Sequence, residues 1–216
     1  MKPSLEGRIM GHEGMTQEPM SPEAALAELI AGNARYVEGS LHSMNPPEAR
    51  HALAAGQAPN AAIIRCADSR VAPEIVFDQP LGSLFVCGVA GNIPTPEIIA
   101  SLEYAVAVLG TKLIVVMGHS SCGAVGAALS HQADSSVLPG SLPALIEQII
   151  APCTKGVDPE VPGAIEEAIA CNAANGIKTI IAGSPILAEA AESGHIKIVA
   201  GVQKIETGQF ALIEGC

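Results

Sequence analysis

Tryptophan is absent from this 216-residue chain, and its aromatic residues amount to two tyrosines and three phenylalanines. The 49% hydrophobic fraction therefore comes mainly from Ala, Ile, Leu and Val. That composition suits a buried parallel sheet covered by helices better than an all-β sandwich. Positive charge is scarce as well: 11 Lys and Arg stand against 22 Asp and Glu, a net charge of -11. Such a surface repels nucleic-acid phosphates and anionic lipid, so neither nucleic acid nor membrane is an expected partner. A small neutral or anionic substrate in a locally positive pocket remains compatible with it. No apolar run approaches the ~18 residues needed to cross a bilayer; the longest, such as 113–117, have the length of strands. The first twenty residues contain Glu6 and Glu13 and no apolar signal core, so export is not expected and the cytoplasm is the expected compartment. Six cysteines (66, 87, 122, 153, 171 and 216) make an even number. The chain is too long for a small disulfide scaffold, however, and a reduced set of thiols is expected.

The length fits one domain. Residues 1–20 show no periodicity and read as a mobile arm; 21–216 read as the single domain. A helix is expected from Ser21-Pro22-Glu23, where serine caps, proline suits the first turn and glutamate opposes the dipole. Leu26, Leu29, Ile30 and Val37 then recur near one face at helical spacing. A crossing through Asn45-Pro46-Pro47 leads to a short helix at 48–55. Strand and helix alternate after that. Strands are expected at 61–65, 83–87, 112–117 and 179–182, and helices at 97–109, 142–150, 164–175 and 186–192. A closing hairpin pairs 196–202 with 209–213. Repeated βα units imply an α/β fold: a four-stranded parallel core sheet plus an antiparallel edge strand, flanked by helices, with the N-terminal helical arm outside it.

Two segments concentrate chemistry: Cys66-Ala67-Asp68-Ser69-Arg70 and His119-Ser120-Ser121-Cys122-Gly123. Both follow an expected strand, and the carboxyl ends of strands are where open α/β sheets bind ligands. Two thiolates and an imidazole suit Zn²⁺ and leave one tetrahedral position open, the arrangement of a catalytic rather than a structural zinc. Either segment alone would read more simply as a buried cysteine near a satisfied histidine. Together, with Asp and Arg adjacent, they point to a metal site. Cys87, Cys153, Cys171 and Cys216 have no nearby His or Asp in sequence and read as structural.

These segments, together with Ala90-Gly91-Asn92 and Ser101-Leu102-Glu103-Tyr104-Ala105-Val106, resemble the β-class carbonic anhydrases over most of the chain beyond the arm. The C-x-D-S-R and G-H-x-x-C-G pair, in this order and separation, carries most of that likeness. The resemblance implies one zinc ion per chain held by Cys66, His119 and Cys122, and a catalytic pair Asp68 and Arg70. The implied reaction is hydration of CO₂ to bicarbonate by hydroxide generated at the metal. Gln57, Phe85 and Tyr104 match the pocket positions of the plant-like subgroup, and Gly123 joins them as a substrate-binding residue. The implied assembly is a homodimer or a dimer of dimers, with the N-terminal helix packed across the partner.

One departure stands out. The family usually carries Arg two residues before the Ala-Gly-Asn stretch, and this chain has Gly88. With no tryptophan either, the chain lacks both residues of the subgroup that bicarbonate inhibits at a second site. Two rival readings stay open at this stage. The same scaffold could hydrolyse carbonyl sulfide or carbon disulfide, linear molecules like CO₂. Alternatively, Cys66 and Cys122 could be the regulatory thiols of a metal or redox sensor, a role that would have no use for Asp68 and Arg70.

Overall fold

The computed structural model describes residues 20–42 and 46–214. The arm expected at 1–20 (but for Met20), Asn45 of the crossing and Cys216 lie outside the described residues. In chain order the elements are α1 (Pro22–Glu38), α2 (Pro47–Leu53), β1 (Ala61–Arg65), α3 (Pro73–Val76), β2 (Leu84–Gly88), α4 (Pro96–Ala107) and β3 (Leu113–His119). They continue with α5 (Gly123–Ser130), α6 (Leu142–Ile149), α7 (Ala164–Gly183), α8 (Pro185–Glu192), β4 (Lys197–Gln203) and β5 (Phe210–Leu212). Proline sets many of these boundaries. Six of these α-helices carry it at their first or second position, where its missing N–H has no helical partner to lose. The Ser21 hydroxyl accepts from the Ala24 N–H at 3.2 Å, as expected for the start of α1.

The sheet runs β2-β1-β3-β4-β5, with the first four strands parallel and β5 antiparallel to β4. The expected sheet is therefore present. β1 hands the chain to one side, to β2, and the next crossover returns it to the other side, to β3. A crevice opens where successive connections leave in opposite directions, at the carboxyl ends of β1 and β3. Both central strands are buried on both faces, which explains their unbroken apolar sequences. Ala61, Ile63, Leu113, Val115 and Met117 pack on one side with Leu29, Val76, Val125 and Ile149. Ala62, Ile64, Ile114 and Val116 pack on the other with Leu102, Ile177, Ile180 and Leu187. Alternation at a period of two, not any break in hydrophobicity, divides the core.

The structure departs from expectation in two places. Residues 179–182 are not a strand but the last turn of α7, and the fourth parallel strand is β4. The run Thr179-Ile180-Ile181 has high strand propensity. It nevertheless continues a helical burial pattern through Ile169, Ala173, Gly176, Ile177 and Ile180, and packing overrides propensity. Gly176 lets α7 lie close on β3, since a Cβ there would sit 2.8 Å from Val116 Cγ1.

Helix α1 anchors its buried face on its own chain. Asn33 Nδ2 donates to the carbonyls of Val76 (3.0 Å) and Gly208 (2.9 Å), and its Oδ1 accepts from the Phe210 N–H at 2.8 Å. The second departure is a disulfide joining Cys153 to Cys171, with Cα atoms 5.6 Å apart, so not every thiol is reduced. Proximity on α7 and the π-helical turn after α6 (Ile150–Thr154) brings the two together. Among the described residues, no helix is long and apolar enough to cross a membrane.

Candidate metal centre

Cys66 is the first residue past β1, and His119 is the last residue of β3. Cys122 sits at the start of α5, three residues beyond His119. So tight a strand-to-helix turn needs unusual backbone, and Ser121 supplies it at φ +56°. The outcome is one potential ligand atom from each of the three residues, all within 4.8 Å of one another and all three residues buried. The expected ligand set is thus brought to one point, at the switch between β1 and β3.

The donor atoms are prepared for a cation. His119 Nδ1 lies 2.9 Å from the Ser120 carbonyl, so it carries the proton and donates there. That tautomer leaves Nε2 with its lone pair free, and Nε2 is buried with no hydrogen-bond partner. An orphaned buried ring nitrogen between two sulfurs is costly in itself and fits a metal ligand. Around Cys66, the hydrogen bond from Cys122 pulls the thiol well below its ordinary range against the opposing effect of burial. His119 and the Gly91 N–H, 3.3 Å from Sγ, act in the same direction. Sharing that proton pushes Cys122 the other way. For His119, burial lowers the pKa, but the neighbouring Cys66 sulfur and the Ser120 carbonyl outweigh it and the net shift is upward. Cys87, by contrast, is only buried, which drives its thiol up to about 11 and leaves it inert.

Asp68 and Arg70 stand on the turn after Cys66. Arg70 Nε donates to Asp68 Oδ1 at 2.9 Å and Nη2 to Oδ2 at 2.7 Å, a fork on both carboxylate oxygens; the Arg70 backbone N–H adds a third bond at 2.9 Å. This pairing holds the Asp68 carboxyl far below the usual carboxylate range. Arg70 Nη2 also donates to the Ser121 carbonyl at 3.3 Å, tying the Cys66 turn to the His119 turn.

The remaining candidates are elsewhere. Phe85 and Tyr104 meet each other, with ring centroids 6.2 Å apart. Phe85 stands opposite Ala62, four residues before Cys66, or roughly 13 Å down the strand. Gln57 is exposed and precedes β1 altogether. Gly123 opens α5, and nothing lies within 4 Å of where its Cβ would be.

Three residues given no site role in the sequence also touch the centre or brace a residue that does. Gly91, at φ +78°, aims its N–H at Cys66 Sγ, and a Cβ there would meet Ile149 Cδ1 at 2.7 Å. Asn172, buried in α7, holds Gly91 by donating to its carbonyl at 2.7 Å. Arg65 Nη1 donates to the Cys66 carbonyl at 2.7 Å. Gly91 belongs to a quoted motif and could have been suspected. Asn172 lies 81 residues from its partner, and no local signal marks it.

Comparison with known proteins agrees with this geometry. The family model described as carbonic anhydrase matches residues 61–210. Carbonic anhydrase 2 of Mycobacterium tuberculosis is 38% identical over 193 residues, 89% of this chain and 93% of the relative. The solved β-carbonic anhydrase CcaA superposes with a TM-score of 0.69 at 27% identity, covering 88% of this chain and 95% of that one. One of two tetrameric β-carbonic anhydrases of Sordaria macrospora gives a TM-score of 0.65 at 25% identity, covering 90% and 96%.

Proposed function

The chain belongs to the β-class carbonic anhydrases, and from that premise we propose that it hydrates CO₂ to bicarbonate and a proton at a Cys66–His119–Cys122 zinc site. The observation that carries the reading is the convergence of those three ligand atoms within 4.8 Å, with the Asp68–Arg70 fork on the adjoining turn. Two sulfurs and one nitrogen would hold one Zn²⁺ per chain and leave a fourth position for water or substrate. Bound there, the ion would lower the pKa of water from about 15.7 toward about 7 and so would make hydroxide available at neutral pH.

The chain's own residues do the rest. Ser120 fixes the His119 ring through Nδ1, so that Nε2 alone faces the centre. Asp68 stays an acceptor at any working pH because Arg70 occupies both its oxygens as a permanent cation. In that state it takes a hydrogen bond from the reacting water and directs the remaining lone pair at the carbon of CO₂. Water and CO₂ combine, and the proton leaves to solvent.

Gln57, Phe85 and Tyr104 keep a substrate-lining role in this reading only across a subunit boundary, because a chain's own Phe85 lies too far from its own Cys66. A homodimer or dimer of dimers would meet that need, and the tetrameric relatives from Sordaria macrospora support it. We place the enzyme in the cytoplasm, where Cys66 and Cys122 stay reduced. The Cys153–Cys171 bond argues the other way, and alkylation of thiols at the moment of lysis decides between them. The test of function is metal analysis beside stopped-flow CO₂ hydration on one preparation, with sulfide release from carbonyl sulfide as a second arm. About one zinc per chain and fast CO₂ turnover are expected. Rapid sulfide release with negligible CO₂ turnover would transfer the same centre to the rival substrate.

A further inference from the structure

Arg65 ends β1 one residue before the ligand Cys66, and its direct partner across the β1–β2 ladder is Gly88. The two are related by more than register. The Arg65 side chain lies over the glycine: a Cβ built on Gly88 would stand 3.4 Å from Nε, 3.5 Å from Cζ and 3.7 Å from Nη2. An alanine there would touch the guanidinium, and a branched side chain would occupy its place. From that seat Nη1 donates to the Cys66 carbonyl at 2.7 Å and the Asp68 carbonyl at 3.4 Å. One planar group thus spans the backbone of a metal ligand and of its neighbouring carboxylate. Nε, pressed toward Gly88, is buried and has no hydrogen-bond partner. A solvent-seeking arginine at the end of a strand would not normally keep an N–H in that state.

Apart from the Gly91 N–H on Cys66 Sγ and the Arg70 tie to Ser121, the Cys66 turn has few other restraints. The Ala67 N–H bonds to the Val89 carbonyl at 3.1 Å and the Val71 N–H to the Asp68 carbonyl at 3.4 Å. Arg70 holds the Asp68 side chain rather than its backbone carbonyl. We propose that Arg65, seated on Gly88, is a positioning residue that clamps the Cys66–Asp68 turn, so that ligand sulfur and carboxylate keep one fixed placement relative to His119. The clamp leaves no room at 88 for a side chain larger than alanine, which gives the departure noted in the sequence a structural purpose. Groups that orient metal ligands in this way typically change metal affinity or activity 10–100-fold when removed.

The inference rests on the metal-centre reading, and Cys66→Ser is the control that separates the two. The test loads purified Arg65→Met, Arg65→Lys and Gly88→Val proteins with Co²⁺. It records the thiolate-to-cobalt charge-transfer absorption and measures Co²⁺ and Zn²⁺ affinity against a competing chelator, with circular dichroism as the check on folding. Arg65→Met should bind metal about 10–100-fold more weakly with a changed charge-transfer band. Gly88→Val should do the same although Arg65 is still present, because valine takes its seat while suiting an edge strand. Arg65→Lys, which can reach one carbonyl, should fall between Met and wild type. Native affinity and spectrum in Arg65→Met, or in Gly88→Val if Arg65→Met does not fold, overturns the clamp. Undiminished cobalt binding in Cys66→Ser would instead overturn the metal centre itself.

Discussion

The chain contains two pairs of neighbouring cysteines that meet opposite fates. Cys66 and Cys122 share a proton and face His119, whereas Cys153 and Cys171 are joined by a covalent bond. Burial separates them only in part, since Cys66, Cys122 and Cys153 are buried and Cys171 is half-buried. What differs is the company each pair keeps. The first has an orphaned imidazole nitrogen beside it and a backbone N–H directed at one sulfur. Those groups favour thiolate and leave a place for a cation. Beside the second pair stands the Pro152 carbonyl, 3.7 Å from Cys171 Sγ, which can accept a hydrogen bond but cannot stabilise a thiolate. A pair of thiols becomes a metal site through the donors around it, not through proximity alone.

Four experiments break or sharpen this contrast. The largest effect is expected at the first pair. Cys66→Ser, Cys122→Ser or His119→Ala should lose metal and activity together, by at least about a thousandfold in kcat/KM on the scale of removing an essential catalytic element. Cys153→Ser should keep both. Zinc content and CO₂ hydration measured side by side settle it, and metal loss in Cys153→Ser would erase the distinction. Next in size is Arg70→Ala. Zinc should be retained while kcat/KM falls about 10²–10⁴-fold, as for loss of a positioned acid–base group. Near-native rates would mean that the Asp68–Arg70 fork is structural only.

The second pair should matter to stability instead. Its two cysteines are 18 residues apart, and closing a loop of that size is worth about 3 kcal/mol in the chain-entropy picture. Urea unfolding with and without reductant should show that difference, and Cys153→Ser should show none between the two conditions. A wild-type protein equally stable in both would make the bond energetically idle.

The smallest effect concerns pH. Arg70 lowers the folded-state pKa of Asp68 below its ordinary 3.8. The stabilisation from that pair is therefore present above about pH 4 and is lost as the pH falls through the lower folded value. The stability gap between wild type and Asp68→Asn should be flat from pH 5 to 8 and close in more acidic solution. Arg70 is 49% exposed in this pair, so solvent screening keeps the gap small. A gap that widens in acid would contradict the assigned sign.

How much was legible beforehand varied with the range of the interactions. The first two strands were expected at 61–65 and 83–87, and they form at Ala61–Arg65 and Leu84–Gly88. Short apolar runs bounded by Pro, Gly and Asn carry their own punctuation. The Cys66 and His119 segments were legible for the same reason: ligand and neighbour lie within five residues. The strand expected at 179–182 failed because its β-branched residues read locally as strand, while only packing on Val116 and its neighbours revealed a helix. Arg65 escaped notice because its meaning lies across the ladder at Gly88, and Asn172 because its partner is 81 residues away.

By itself, then, the amino-acid sequence determined the alternation of strand and helix, the burial of the central strands, and the candidate ligands Cys66, His119 and Cys122 with Asp68 and Arg70 beside them. These follow from periodicity, proline placement and donor chemistry, all local properties of the chain. Only the tertiary structure decided that β1 and β3 are neighbours whose connections leave in opposite directions, and that Cys153 bonds to Cys171. It alone seated the Arg65 guanidinium in the space that Gly88 leaves empty. Such outcomes depend on which surfaces of distant segments come into contact. A residue's own neighbours in sequence carry no record of that, because contact is settled by the packing of the whole core.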